Sequence, residues 1–151
     1  MPKFLLARDI ELFKSIAREV VSDVIQDAIF LFKVNLNETK VNIYGEAMNK
    51  TWHPGVELYA LIDKDPETAT YEGFGSDTNQ NIVFKLDRWM LEEKSVYPEI
   101  GDVIYFNSSY FEIDNTTEIQ LIGGQPYNNF SVVCQTFMIR KSDFNIEERI
   151  K

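Results

Sequence analysis

At 151 residues, 44% of them hydrophobic and 26% charged, the chain has the size and make-up of one packed domain. Such a chain can bury roughly 68–70% of its extended surface without disulfides or metals. Its formal net charge of −9 disfavours a surface that grips nucleic acid, because non-specific affinity for phosphate comes from Lys and Arg displacing counterions.

Ile10, Phe13, Ile16, Ala17, Val20, Val21 and Val24 recur at helical spacing, with Glu11, Lys14, Arg18 and Asp23 on the other side. This predicts an amphipathic helix over residues 8–25. Asp9 is placed to cap it, and Glu11 suits the first turn, where free backbone N–H groups favour negative charge. The helix is expected to pack across the β domain that follows.

From residue 27 the period changes to two. Ala28, Phe30, Phe32 and Val34 alternate with Lys33 on the other face, predicting a strand over 27–35. Turn formers fill Asn35 to Lys40, Val41 to Tyr44 reads as a short strand, and Gly45 ends it. Pro54-Gly55 then leads into the alternating strand Val56 to Ile62. The stretch 64–80 holds Pro66, Gly73 and Gly75 among polar residues, and reads either as a long loop or as a loose hairpin around Thr68 to Tyr71.

Asn81 to Asp87 is a further strand, and Arg88 to Lys94 has the composition of a short helical turn. Gly101-Asp102 introduces Val103 to Phe106. Asn107-Ser108-Ser109 turns the chain, and Tyr110 to Asp114 returns, a hairpin signature. Asn115-Thr116 links it to Thr117–Ile122. After the break at Gly123-Gly124-Gln125-Pro126 comes the longest alternating run, 130–140, and then a charged tail over 141–151. Seven or eight short strands behind one helix predict a mostly β (α+β) domain, a small barrel or sandwich, with no linker to divide it.

Motifs of chemistry are weak. Gly73-Phe74-Gly75 begins like a phosphate loop, but Thr78 stands where the third glycine belongs. Asp63-Lys64-Asp65 opens like a calcium loop, but Thr68 and Phe74 occupy the positions that need Gly and a bidentate Glu. The single histidine, His53, sits between Trp52 and Pro54 and reads as turn packing. The single cysteine, Cys134, lies in an apolar-alternating run and reads as a small buried hydrophobe. Glu67, Glu72 and Asp77 read as a solvated acidic loop. Tyr59, Phe106, Tyr110 and Phe111 are expected in a core or an interface, where aromatics dominate, rather than on a base-stacking platform. No catalytic residue, cofactor or metal site is expected.

Residues 1–6 are too weakly patterned for a secretory signal, and no apolar run approaches the ~20 residues that span a bilayer. Synthesis in a reducing cytosol is expected. The Asn-x-Ser/Thr matches at Asn37, Asn49, Asn107, Asn115 and Asn129 then read as chance.

The run Tyr97-Pro98-Glu99-Ile100-Gly101-Asp102-Val103-Ile104-Tyr105-Phe106, followed by Tyr110-Phe111-Glu112-Ile113, resembles the Pro-x-x-Gly-Asp hairpin of the neck, or head-closure, proteins of contractile-tailed bacteriophages. Upstream, Tyr44-Gly45-Glu46, Lys50 and Pro54-Gly55-Val56 are similar to a second element of that family, with Trp52 between. Together these elements cover about half of the chain. The resemblance implies a non-enzymatic virion subunit made in the host bacterial cytoplasm. It would form a ring, expected to be a hexamer of this chain, between the portal-proximal connector and the tail terminator, with DNA passing through its lumen and no membrane involved. Six copies at −9 each would bring −54 formal charges, which suits a conduit that repels phosphate. By the same analogy a loop enters the channel. Residues 65–80 are the expected lumenal loop, with Asp65, Glu67, Glu72, Gly73, Phe74, Gly75 and Asp77, and the two glycines would let it swing. Tyr44, Gly45, Glu46, Trp52, Gly101, Asp102, Tyr105, Phe106, Tyr110 and Phe111 are the expected structural or interface residues. The alternative from another class is a small β module of a phage tail or baseplate that binds a peptide or polysaccharide through an aromatic groove.

Overall fold

The structure, a computed structural model, describes residues 7–25, 27–35, 40–41, 47–66, 68–72, 75–120, 129–140 and 145–146. The mostly β architecture holds. Seven strands form one antiparallel sheet in the order β5-β1-β10-β11-β12-β9-β6. They are β1 (Ala28–Phe32), β5 (Val56–Tyr59), β6 (Leu61–Lys64), β9 (Asn81–Asp87), β10 (Val103–Phe106), β11 (Ser109–Gln120) and β12 (Asn129–Ile139). Three two-stranded ladders lie outside it: β2 (Lys40–Val41) with β3 (Ala47–Asn49), β4 (Thr51–Trp52) with β13 (Asn145–Ile146), and β7 (Thr68–Glu72) with β8 (Gly75–Asn79). The pairing of Asn145 and Ile146 with Thr51 and Trp52 is parallel, so part of the charged tail joins the fold.

Alternation selects the faces. Ile29, Leu31, Leu58, Phe84, Ile104, Phe111 and Val132 all turn inward and are fully buried. They meet across neighbouring strands as Ile29↔Leu58, Leu31↔Ile104 and Ile104↔Phe111. Each such side chain contributes about 1.5–3 kcal/mol by leaving water. The Phe84 ring packs edge-on against Phe106 and Phe111, each 6.0 Å away, as the ring quadrupole favours. Residues 109–120 form one strand rather than the two expected. Its register shifts between Ile113 and Asn115, so Asp114 is absorbed as a bulge.

The sheet is not closed into a barrel, which corrects that half of the sequence expectation. No ladder joins its end strands β5 and β6. Yet these two are consecutive in the chain, separated only by Ala60. The single strand expected over 56–62 breaks there: its first half pairs β1 and its second half pairs β9. A sheet whose ends are one residue apart must curl upon itself. Ala60 is fully buried, and its N–H donates to the carbonyl of Asp27 at 3.1 Å.

Helix α2 (Arg88–Lys94) seals the core with Met90 and Leu91. It ends at Ser95 in the left-handed conformation, where the N–H groups of Ser95 and Val96 donate to the carbonyls of Glu92 and Leu91. The N-terminal helix departs from expectation twice. It is α-helical only over α1 (Ala7–Glu19) and winds as a π-helix over Val20–Ile25. Val20, Val21, Val24 and Ile25 in that stretch are β-branched and crowd the preceding turn of an α-helix. Nor does α1 pack its apolar face on the sheet: none of its residues is buried.

Candidate assembly surface

The Gly-Asp motif works as a staple. Asp102 is fully buried. Its Oδ1 accepts the N–H of Val34 at 2.9 Å, and its Oδ2 accepts the N–H of Glu99 and the ammonium of Lys33, both at 2.8 Å. Lys33 also donates to the carbonyl of Tyr97 and to Glu99 Oε2, each at 2.8 Å, so its three protons have three acceptors. Burial pulls the Lys33 pKa down, but the hydrogen bonds and charges of Asp102 and Glu99 more than offset this, and the pKa ends above its ordinary value. Gly101 precedes this carboxylate at φ +95, with open space where a Cβ would stand; the backbone conformation, not crowding, asks for glycine. The Gly101 carbonyl accepts from the indole of buried Trp52 at 3.2 Å. A carboxylate engaged by three donors is a structural tie, not a reactive acid.

The hairpin that follows divides its aromatics between two faces. Phe111 is buried and Phe106 is partly buried against the core. Asn107 and Ser108 turn the chain at φ 49 and 65, the pair of positive angles that a two-residue type I′ hairpin requires. Tyr105 and Tyr110 face outward, opposite each other, with ring centroids 5.0 Å apart. Register extends them into a row across five strands: Glu57, Phe30, Tyr105, Tyr110, Ile139. Phe30 is 6.3 Å from Tyr105 and remains 38% exposed. Beside the row, Phe32 lies 6.4 Å from Tyr110 and under Gly55, where a Cβ would come within 2.8 Å of the Phe32 ring. Glu112 is held by Lys50 at 2.5 Å.

The expected lumenal loop is a hairpin arm. Strands β7 and β8 pair from Thr68↔Asn79 to Glu72↔Gly75, with Asp77 opposite Thr70. The arm continues the β6/β9 ladder, whose last pair is Lys64↔Ile82. Between the two ladders lie three residues on one side (65–67) and two on the other (80–81), an unequal count that re-aims a ladder as a bulge does. Exposed Asp65 donates its N–H to the Asn81 carbonyl, and its own carbonyl accepts from the Gln80 side chain. The Gln80 carbonyl accepts from Met138. Glu67, Gly73 and Phe74 lie outside the described residues, as do Tyr44, Gly45 and Glu46.

Sequence reasoning missed how the helix is mounted. Val21 is buried against the body and Ile10 and Ala17 are half-buried, while Arg18 at the rim lies 4.3 Å over the Trp89 ring and 3.8 Å from Glu93. A cleft of about 630 Å³ between them is lined by Ser15, Glu19 and Ser22 of the helix and by Glu57, Tyr59 and Trp89 of the body. The rest of its apolar side faces solvent, with Phe13 and Ile16 48% exposed and Val24 73%. The amphipathic pattern showed that such a face exists, but carries no statement of what covers it.

Cys134 is buried, as expected, and burial pushes its thiol up to about 12. His53 is exposed, its N–H donating to the Lys33 carbonyl. Among the described residues no group of three or more His, Cys, Asp or Glu could hold a metal ion, and no helix is long and apolar enough to cross a membrane.

Compared with known proteins, the sequence matches no family model and no curated protein. Among solved structures, the chain is similar to a chain of one described as "Virion of native gene transfer agent (GTA) particle", at 11% identity and a TM-score of 0.45, covering 74% of this chain and 93% of that one. Likeness at that level aligns a run of elements without fixing a role.

Proposed function

We propose that this chain is a structural subunit of a phage virion that forms a ring, expected to be a hexamer, at the neck. There it closes the DNA-filled head and joins the portal-proximal connector to the tail terminator. The observation that carries this reading is that apolar surface remains uncovered beside a packed core. Leu12, Phe13, Ile16, Val20 and Val24 on the helix, with Phe30 and Phe137 on the sheet, are all more than a third exposed. Exposed apolar patches of several hundred Å² mark interaction sites on soluble domains. The resemblance of the Gly-Asp hairpin to neck proteins supports the neck as its place in the particle.

In this reading the arm 65–80 enters the lumen. It carries Asp65, Glu67, Glu72 and Asp77, charges that repel passing phosphates. DNA is then a transiting polymer, not a ligand. Electron microscopy of virions labelled on this subunit tests the reading: the label is expected at the head–tail junction. A label at the distal tip would sink it in favour of a peptide- or polysaccharide-binding module of the tail or baseplate.

A further inference from the structure

We propose that the apolar face of the N-terminal helix packs onto the outer aromatic row of a second copy of this chain, joining subunits head to tail. The proposal rests on the ring reading above and names the contact that would build the ring.

Only one edge of the helix meets the body, where Val21 is buried and Ile10 and Ala17 are half-buried; the rest of its apolar arc is left in solvent. Arg18 and its polar neighbours lie toward Trp89, Glu93 and the cleft, while Leu12, Ile16 and Val20 form a ridge at four-residue spacing, with Phe13 beside it. To cover that ridge with its own sheet, the helix would have to roll about its axis and give up both Arg18 contacts. The exposed apolar side chains from Leu12 to Ile25 leave on the order of 500 Å² in water, more than half of the roughly 800 Å² that each partner gives to a standard interface.

The same chain carries an acceptor of matching length. The ridge from Leu12 to Val20 spans about 12 Å at helical rise. The row Phe30-Tyr105-Tyr110-Ile139 crosses four strands, about 14 Å at normal strand spacing. Two different patches on one subunit make a heterologous contact, which propagates to a ring when the rotation closes, whereas a patch meeting its own copy stops at a dimer.

The test uses the full chain carrying Ile16→Cys or Tyr105→Cys, singly and mixed, in copies of two tagged sizes, with oxidant added. The native thiol is buried. Crosslinks joining one variant to the other in the mixture are expected, and neither variant is expected to crosslink alone. In light scattering, Ile16→Asp should weaken association about 100-fold by burying an unpaired carboxylate, with unchanged circular dichroism. Self-crosslinking of Ile16→Cys alone would mean helix-on-helix pairing and overturn the proposal. So would a wild-type chain that keeps its 17.6 kDa mass at every concentration. Rings that persist in Ile16→Asp overturn this interface yet leave the ring reading standing, and the labelling experiment decides that reading separately.

Discussion

Lys33 meets Asp102 at 2.8 Å across 69 residues of chain, and the contact ties the end of the first strand to the start of the Gly-Asp hairpin. The carboxylate also holds the N–H groups of Val34 and Glu99. Asp102→Ala would strand the N–H groups of Val34 and Glu99, while Lys33 keeps the Tyr97 carbonyl and Glu99, and is expected to cost about 3–5 kcal/mol, the usual effect of breaking a buried charge pair. Lys33→Met keeps both backbone bonds but leaves the fully buried carboxylate without its cation, and should also cost several kcal/mol, about as much as the alanine change. Urea midpoints of the two variants measure this; a Lys33→Met protein as stable as the parent would contradict the role given to the ion pair.

The raised pKa of Lys33 sets a pH dependence. A lysine that holds its proton more tightly folded than unfolded stabilises fully below its unfolded value near 10.5 and loses that contribution as pH rises through the folded value. Stability should therefore drop above pH 10.5 in the parent more steeply than in Lys33→Met, as read by thermal melts from pH 9 to 12.

At Asp87 a raised pKa disfavours the charged form instead of favouring it. Burial lifts its carboxyl above the ordinary value of 3.8, only partly opposed by the Trp89 indole. Its Oδ2 has no hydrogen-bond partner, and it caps α2 without a side-chain bond. The folded state holds this proton more tightly, so the parent loses stability as pH rises from 3.8 through the raised value. Asp87→Asn, also a good capping residue, should melt above the parent at neutral pH and lose that advantage below pH 3.8.

Gly101 and Gly55 should fail differently when changed to alanine. At Gly101 the cost is backbone strain alone, about 1–2 kcal/mol. At Gly55 the new methyl meets the Phe32 ring at 2.8 Å, so the ring must shift. Gly55→Ala is expected to perturb Phe32 and Tyr110 resonances in NMR spectra, whereas Gly101→Ala should lower stability with the outer aromatics undisturbed.

Replacing residues 68–79 by a two-residue turn removes a ladder that shares no strand with the main sheet. The melting temperature should stay within a few degrees of the parent. If the arm lies in the lumen, particles built with this variant should assemble and leak DNA. Particles that stay tight would count against that placement.

Local pattern made most of the sheet legible. Strands 81–87 and 103–106 fall where alternation put them, because a strand with one buried face writes a two-residue period into the sequence. Asn107-Ser108 announced its turn through residue type. What stayed hidden is non-local. Ala60 looks like any inward residue of a strand, and only the positions of β1 and β9 make it a break. The run 64–80 left loop and hairpin open because its polar sequence writes no apolar alternation. Lys33 showed itself only as a charge in an apolar strand, and its partner lies far along the chain. The helix face was visible, but what covers it is written in another surface.

The position of β1 also bears on how the molecule is made. It sits between β5 and β10, with Phe30 opposite Glu57 on one side and Tyr105 on the other. The ribosome delivers this strand first, yet its second neighbour emerges more than seventy residues later. Loop-closure entropy makes so distant a pairing slow. Within the main sheet the β1–β10 pairing closes the longest loop and is expected to form late, and until then Leu31 lacks its partner Ile104 in the nascent chain.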